Sequence, residues 1–271
     1  MGSLFFKIAL GLYFLSMLGY ITSLVVRKVQ VAKVSTWILF SAFAVHTASI
    51  IFRWVETGHS PVTNLYESLS FIAWAVSGSY LIFQVKTKTR ILGAFVSPVV
   101  LVMAITASAR LMEDTPIPSI LMSSWVPVHV LLTLTGSALF ALACLSGIMY
   151  LVQDDLIRNK KAYGFSRLLP SLRELDRINN ICLVAGFILI TLGIIAGSIW
   201  ARNVWGSHWQ WDPKQIATLI SWILYALLLH QRLAIGWKGR KAALLSIIAF
   251  VILLFTFVGV NIFFVTVHNF I

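Results

Sequence analysis

The sequence predicts an all-α, polytopic membrane protein with about eight transmembrane helices and both termini on the outer side. Three observations predict it: composition, the spacing of apolar runs, and the distribution of positive charge. Of 271 residues, 59% are apolar and 11% charged, whereas a soluble domain is about 45–50% apolar and about a quarter charged. The runs are each about 20 residues long, enough to cross ~30 Å of hydrocarbon. They must be helices, because an unpaired backbone group in lipid costs several kcal/mol and the ~10-residue alternation of a barrel is absent.

The spans fall near residues 4–26, 34–54, 64–84, 91–109, 125–151, 178–200, 214–234 and 243–267. The first has no charged segment before it and no A-x-A-like site after it, so it reads as a retained helix and not as a cleaved signal. An outer segment, 55–63, joins the second span to the third, and 110–124, with Pro116 and Pro118, joins the fourth to the fifth. The longest polar stretch, 153–177, mixes both signs of charge and is expected to be a solvated connector with some helix and no chemistry. A tryptophan-rich loop, 200–213, separates spans six and seven. No repeat or low-complexity tract appears, so 1–271 is read as one membrane domain.

Lys and Arg fix the expected orientation, since loops on the cytoplasmic side carry the positive excess. Arg27, Lys28, Lys33, Lys86, Lys88, Arg90, Arg158, Lys160, Lys161, Arg167, Arg173, Arg177, Arg232, Lys238, Arg240 and Lys241 share one side, against Lys7, Arg53, Arg110, Arg202 and Lys214 on the other. The termini and the tryptophan loop are therefore expected outside. The net charge of +12 reflects topology beside membrane lipid, and no nucleic-acid partner is needed to explain it. Cys144 and Cys182 sit singly within spans, which excludes a disulfide framework and a C-x-x-C motif.

Residues 200–214 read W-A-R-N-V-W-G-S-H-W-Q-W-D-P-K, with Trp200, Trp205, Trp209 and Trp211 in one short stretch. Isolated tryptophans there would be an interfacial belt. Four together with Arg202, Gly206 and His208 instead suggest a platform, in which indole faces stack on a flat apolar ligand and Gly206 permits close approach. Asp212-Pro213 has the form of an N-cap followed by proline at the first helical position. Histidines within spans are costly and point to function. His129 and His268 lie at the depth of the tryptophan loop, where two imidazoles could ligate a haem iron on its two faces. Interfacial hydrogen bonding is the alternative for each. His230, about 24 Å further down at 1.5 Å per residue, lies near the inner surface, where the dipole of its helix would also favour it. His46, mid-span, is expected to be a satisfied core histidine or a relay residue. His59 and His208 are in outer loops. Arg53, Arg110, Arg202 and Lys214 are outer cations that could pair with propionates.

These residues resemble the cytochrome c assembly family with a tryptophan-rich signature, in its CcsA or ResC branch. W-G-S-H-W-Q-W-D-P-K resembles the family's W-G-x-x-W-x-W-D, and G-H-S-P-V-T-N-L-Y-E, 58–67, resembles its other recurrent outer segment. The resemblance covers essentially the whole chain. It implies a subunit of a cytochrome c synthase in a bacterial inner membrane, which moves haem b outward and presents it for thioether attachment to C-x-x-C-H apocytochrome c. It also implies a CcsB-type membrane partner, with His129 and His268 as outer haem ligands, His230 as an inner one, and the second inner ligand from the partner. Gln215 stands where the resemblance leads one to expect Glu, and His208 occupies a variable position. Rival readings are a haem exporter without synthase activity and a b-type transmembrane cytochrome, the latter needing paired histidines at both depths. An oligosaccharyl transferase-like enzyme fits less well, because the string is W-Q-W-D without adjacent tryptophans.

Overall fold

The computed structural model describes residues 1–87, 89–109, 122–160 and 169–264. His268, Arg110, Pro116 and Pro118 lie outside the described residues. The helices are α1 (Gly2–Val26), α2 (Val29–Thr57), α3 (Leu65–Lys86), α4 (Gly93–Ser108), α5 (Trp125–Arg158), α6 (Leu172–Trp205), α7 (Pro213–Leu233) and α8 (Arg240–Leu254). A π-helical segment, Phe255–Gly259, and a last turn, Val260–Phe263, continue α8. Eight spans, with the turn Arg90–Leu92 added to α4, are long and apolar enough to cross a membrane. The chain is a multi-pass, all-helical membrane protein.

Helices α1 to α4 and α5 to α8 form two halves. In the first, α1 runs along α2 and α3 along α4; in the second, α6 and α8 both pack on α5, and α3 meets α5 where the halves join. The α5–α6 pair approaches closely because small residues face each other. A Cβ added to Gly186 would lie 2.8 Å from the Phe140 ring, and one added to Gly136 would lie 3.0 Å from the Gly186 carbonyl oxygen. Backbones brought this close give the van der Waals packing that associates helices in lipid, where the hydrophobic effect between helices is absent.

Helices α5 and α6 have 34 residues each and so run about 51 Å, well past the hydrocarbon. Their polar ends stay helical because they are capped and paired. Ser171 caps α6 by accepting from the Glu174 amide, and Asp154 holds Arg158 one turn on. Among the described residues, the two ends of the expected solvated connector are therefore helix ends tied to their neighbours. Asp154 also pairs with Arg240 at 2.9 Å, and buried Arg232 pairs with Asp176 at 2.8 Å while donating to Asn179 and Asn180.

The first half has a polar interior of its own. His46 is fully buried between the Tyr13 hydroxyl (3.1 Å to Nδ1) and the Ser70 hydroxyl (2.9 Å to Nε2), and Tyr13 also reaches Ser77. The expectation of a satisfied core histidine describes this arrangement. Nearer the end that carries the amino terminus, Arg53 pairs with Glu67 at 3.3 Å; Glu67 also accepts from the Thr63 amide and hydroxyl. Asn64 caps α3 by accepting from the Glu67 amide at 2.9 Å, so the N-x-x-E string here is a helix start with its acid turned back on the loop.

Candidate haem-binding site

Where the two halves meet, at the end of the bundle that holds the tryptophan loop, an apolar cavity of about 240 Å³ opens. A smaller compartment of about 130 Å³ adjoins it on the side of the tryptophan loop. His129, Trp200, Ile194, Lys214 and Thr218 line both. Val62, Thr63, Asn64 and Leu65 form the far wall of the larger one. Segment 58–67 and the tryptophan loop, distant in sequence, thus address one space.

His129 is placed by α6. Its Nδ1 lies 2.7 Å from the Gly193 carbonyl oxygen. A carbonyl only accepts, so Nδ1 carries the proton and Nε2 keeps its lone pair. A second partner that fixes the tautomer in this way also orients a metal-ligating imidazole. The ring fits because Gly197 has no side chain; a Cβ there would lie 2.6 Å from Nδ1. The larger cavity runs down past Thr133, Ser137, Phe187 and Trp222 to Tyr225, whose ring stacks on Phe140 with centroids 3.5 Å apart. The Tyr225 hydroxyl is buried and has no hydrogen-bond partner among the described residues. Thr256, in the π-helical segment, lines the same wall and bonds Ser221 at 3.0 Å.

The tryptophans divide. Trp200, buried on the penultimate turn of α6, and Trp209 line the smaller compartment. Trp205 stacks edge-on behind Trp200 at 5.1 Å, and Trp211 is 73% exposed with a left-handed backbone (φ 54°). Of the four tryptophans read as a platform, Trp200 and Trp209 therefore form a wall of the compartment while Trp205 and Trp211 stand outside it, because α6 stays helical through Trp205 and turns Trp200 inward.

Gly206 ends α6 with φ 72°, which makes it the left-handed stop of the helix, and has open space where a Cβ would be. Arg202 is exposed on the last turn of α6 and lines neither compartment. Arg53 is committed to Glu67. Asp212 is the N-cap of α7, accepting from the Lys214 amide at 3.1 Å, with Pro213 at the first helical position, as the sequence suggests. The Gln215 carbonyl accepts the Gln210 amide at 2.8 Å. That acceptor role, which pins the loop to α7, is equally open to Gln and Glu.

His230 is exposed on α7, near its far end, and lines neither compartment. His59 bonds the Ser60 carbonyl. Gly193, Gly197 and Tyr225 are the site residues that sequence reasoning did not single out; Lys214 entered only as one of four outer cations, and 62–65 only as part of the family-like segment 58–67. The G-x-x-x-G spacing of Gly193 and Gly197 was a readable sign that α6 approaches a neighbour there.

The fold and site define a multi-pass helical membrane protein with a fixed imidazole facing an indole-walled cavity at one end of the bundle. The chain belongs to the cytochrome c assembly protein family, whose sequence profile matches residues 62–268. It is 33% identical over 253 residues to the cytochrome c biogenesis protein CcsA of Chlorella vulgaris, covering 82% of this chain and 80% of that one. It is 32% identical over 296 residues to CcsA of Synechococcus sp. strain CC9311, covering 97% of each. Among solved structures it resembles the cytochrome c haem lyase CcmF, with a TM-score of 0.66 at 16% identity. That match covers 95% of this chain and 46% of the other, so the likeness is one of fold.

Proposed function

We propose that the cavity holds haem b at the outer membrane face and presents it to apocytochrome c bearing C-x-x-C-H. The observation that carries this reading is His129, its Nδ1 proton given to Gly193 and its Nε2 lone pair left for iron beside Trp200 and Trp209. An imidazole held in one tautomer ligates without first breaking another bond.

In this reading both termini and the tryptophan loop face outward, and His268 supplies the second axial position. His230 receives haem near the inner leaflet, with its second ligand from a CcsB-type partner. Exposure of His230 on α7 supports this, because a ligand shared with another subunit must lie on the surface. Lys214, at the rim of both compartments, is the cation best situated for a propionate.

With the vinyl edge toward the aqueous side, each apocytochrome thiol adds across a vinyl group. A carbon–sulfur bond forms at the carbon next to the ring, the thiol proton ends on the terminal carbon, and no oxidant is consumed. The protein contributes position and orientation, and the apocytochrome histidine then replaces a protein imidazole on the iron.

Purified with its partner, the protein should show a bis-imidazole haem spectrum that His129→Ala or His268→Ala weakens and added imidazole restores. A spectrum unchanged by both substitutions would sink the assignment. Co-expression with a C-x-x-C-H apocytochrome, read by covalent haem staining, separates attachment from export.

A further inference from the structure

The smaller compartment contains a second imidazole that the family signature does not specify. His208 lines it together with His129. Each ring has its Nδ1 beside a carbonyl oxygen of α6, at 2.7 Å for His129 and 3.2 Å for the exposed His208. The Nδ1 of His208 lies 3.2 Å from the Ser198 carbonyl oxygen and 3.3 Å from the Ser198 hydroxyl, which is also 3.3 Å from the His208 carbonyl. The Ser198 carbonyl can only accept, so its contact, the shorter one, is made by an Nδ1 hydrogen, and in that tautomer Nε2 of His208 keeps its lone pair.

Gly193 and Ser198, which hold the two rings, are five residues apart on α6, a rise of about 7.5 Å. Among the described residues no carboxylate lines this compartment, so neither imidazole is diverted into an ion pair. The loop that carries His208 is pinned on both sides, by the Gln210 amide on Gln215 and by the Ser207 hydroxyl on the Trp209 carbonyl.

We propose that His208 is an exchange ligand for the outer haem: it takes the axial position across the iron from His129 whenever His268 is absent or displaced. This rests on the outer-site reading above and adds to it a residue-specific route for ligand exchange. Such a ligand would keep the iron six-coordinate while the apocytochrome histidine replaces His268, so haem would stay bound through the exchange.

The test compares the wild type with His208→Ala, His268→Ala, the double variant and His268→Ala/His208→Met, each purified with the partner subunit and read by visible absorption. His268→Ala alone should hold less haem than the wild type, which weakens its spectrum, yet what it holds should remain six-coordinate and low-spin. The double alanine variant should turn high-spin or lose haem about tenfold, and the methionine variant should show the red charge-transfer band of His/Met ligation. A high-spin His268→Ala that His208→Ala leaves unchanged would overturn the proposal, as would a double alanine variant that stays low-spin. A wild type without haem, or a His129→Ala protein with normal haem, would instead overturn the outer-site reading and this inference with it.

Discussion

His46 and His129 sit in opposite halves of the bundle, and the protein treats their rings in opposite ways. Both nitrogens of His46 meet hydroxyls, from Tyr13 and Ser70. A hydroxyl can donate or accept, so its tautomer is free while neither nitrogen is available. His129 gives one nitrogen to a carbonyl, which fixes its tautomer, and turns the other toward a cavity. The difference teaches that a histidine inside a membrane protein is a ligand or a core residue according to what its partners can donate, not how deep it lies. The surroundings of the two rings differ in the same way: Arg53, Glu67 and the hydroxyls near His46 are spent on one another, whereas the cavity that His129 lines keeps the Tyr225 hydroxyl without a partner among the described residues.

Four substitutions would break or sharpen this contrast. The largest effect is expected at Glu67, which lies in the spent half: Glu67→Ala leaves Arg53 buried without its acid. A broken buried pair costs about 3–5 kcal/mol, so the midpoint of thermal unfolding in detergent should fall steeply. A stable Glu67→Ala protein would mean the Arg53 pair matters little. His46→Ala should cost about 1–3 kcal/mol for the stranded hydroxyls, with haem content per folded protein unchanged. Haem loss without loss of stability would erase the distinction between the two histidines. Gly197→Ala should push the His129 ring off Gly193 and weaken the haem spectrum several-fold, with unfolding shifted far less; normal haem would show that the tautomer lock is dispensable. Tyr225→Phe, removing an unpartnered hydroxyl, should leave the haem-free protein as stable as before or slightly more so. A clear destabilisation would reveal a partner for that hydroxyl.

The eight spans were legible within a few residues, because a run of about 20 apolar residues has few other structures open to it. Their ends were not. Helix α6 begins at Leu172 and not near 178, through a Ser171–Glu174 cap, and continues to Trp205, where Gly206 stops it. That extension turns Trp200 into the cavity and leaves Trp211 outside, which no count of tryptophans could show. His129 was visible from its depth in the fifth span. Its tautomer was not, because it depends on α5 meeting α6 over Gly193 and Gly197, a contact between residues more than sixty positions apart. The far wall, 62–65, was legible only as a family segment, since its place opposite Lys214 depends on how the halves meet.

The π-helical segment Phe255–Gly259 has a consequence for phase. A turn that carries one extra residue rotates everything after it by about 100° relative to an uninterrupted α-helix. The face that α8 presents beyond Gly259 is therefore set by an insertion and not by the register of residues 240–254. Val260, 2% exposed, takes its place after that offset. Removing a single residue between 255 and 259 would take out the extra residue and the wide turn together, and leave Val260 and whatever follows on the faces they now present.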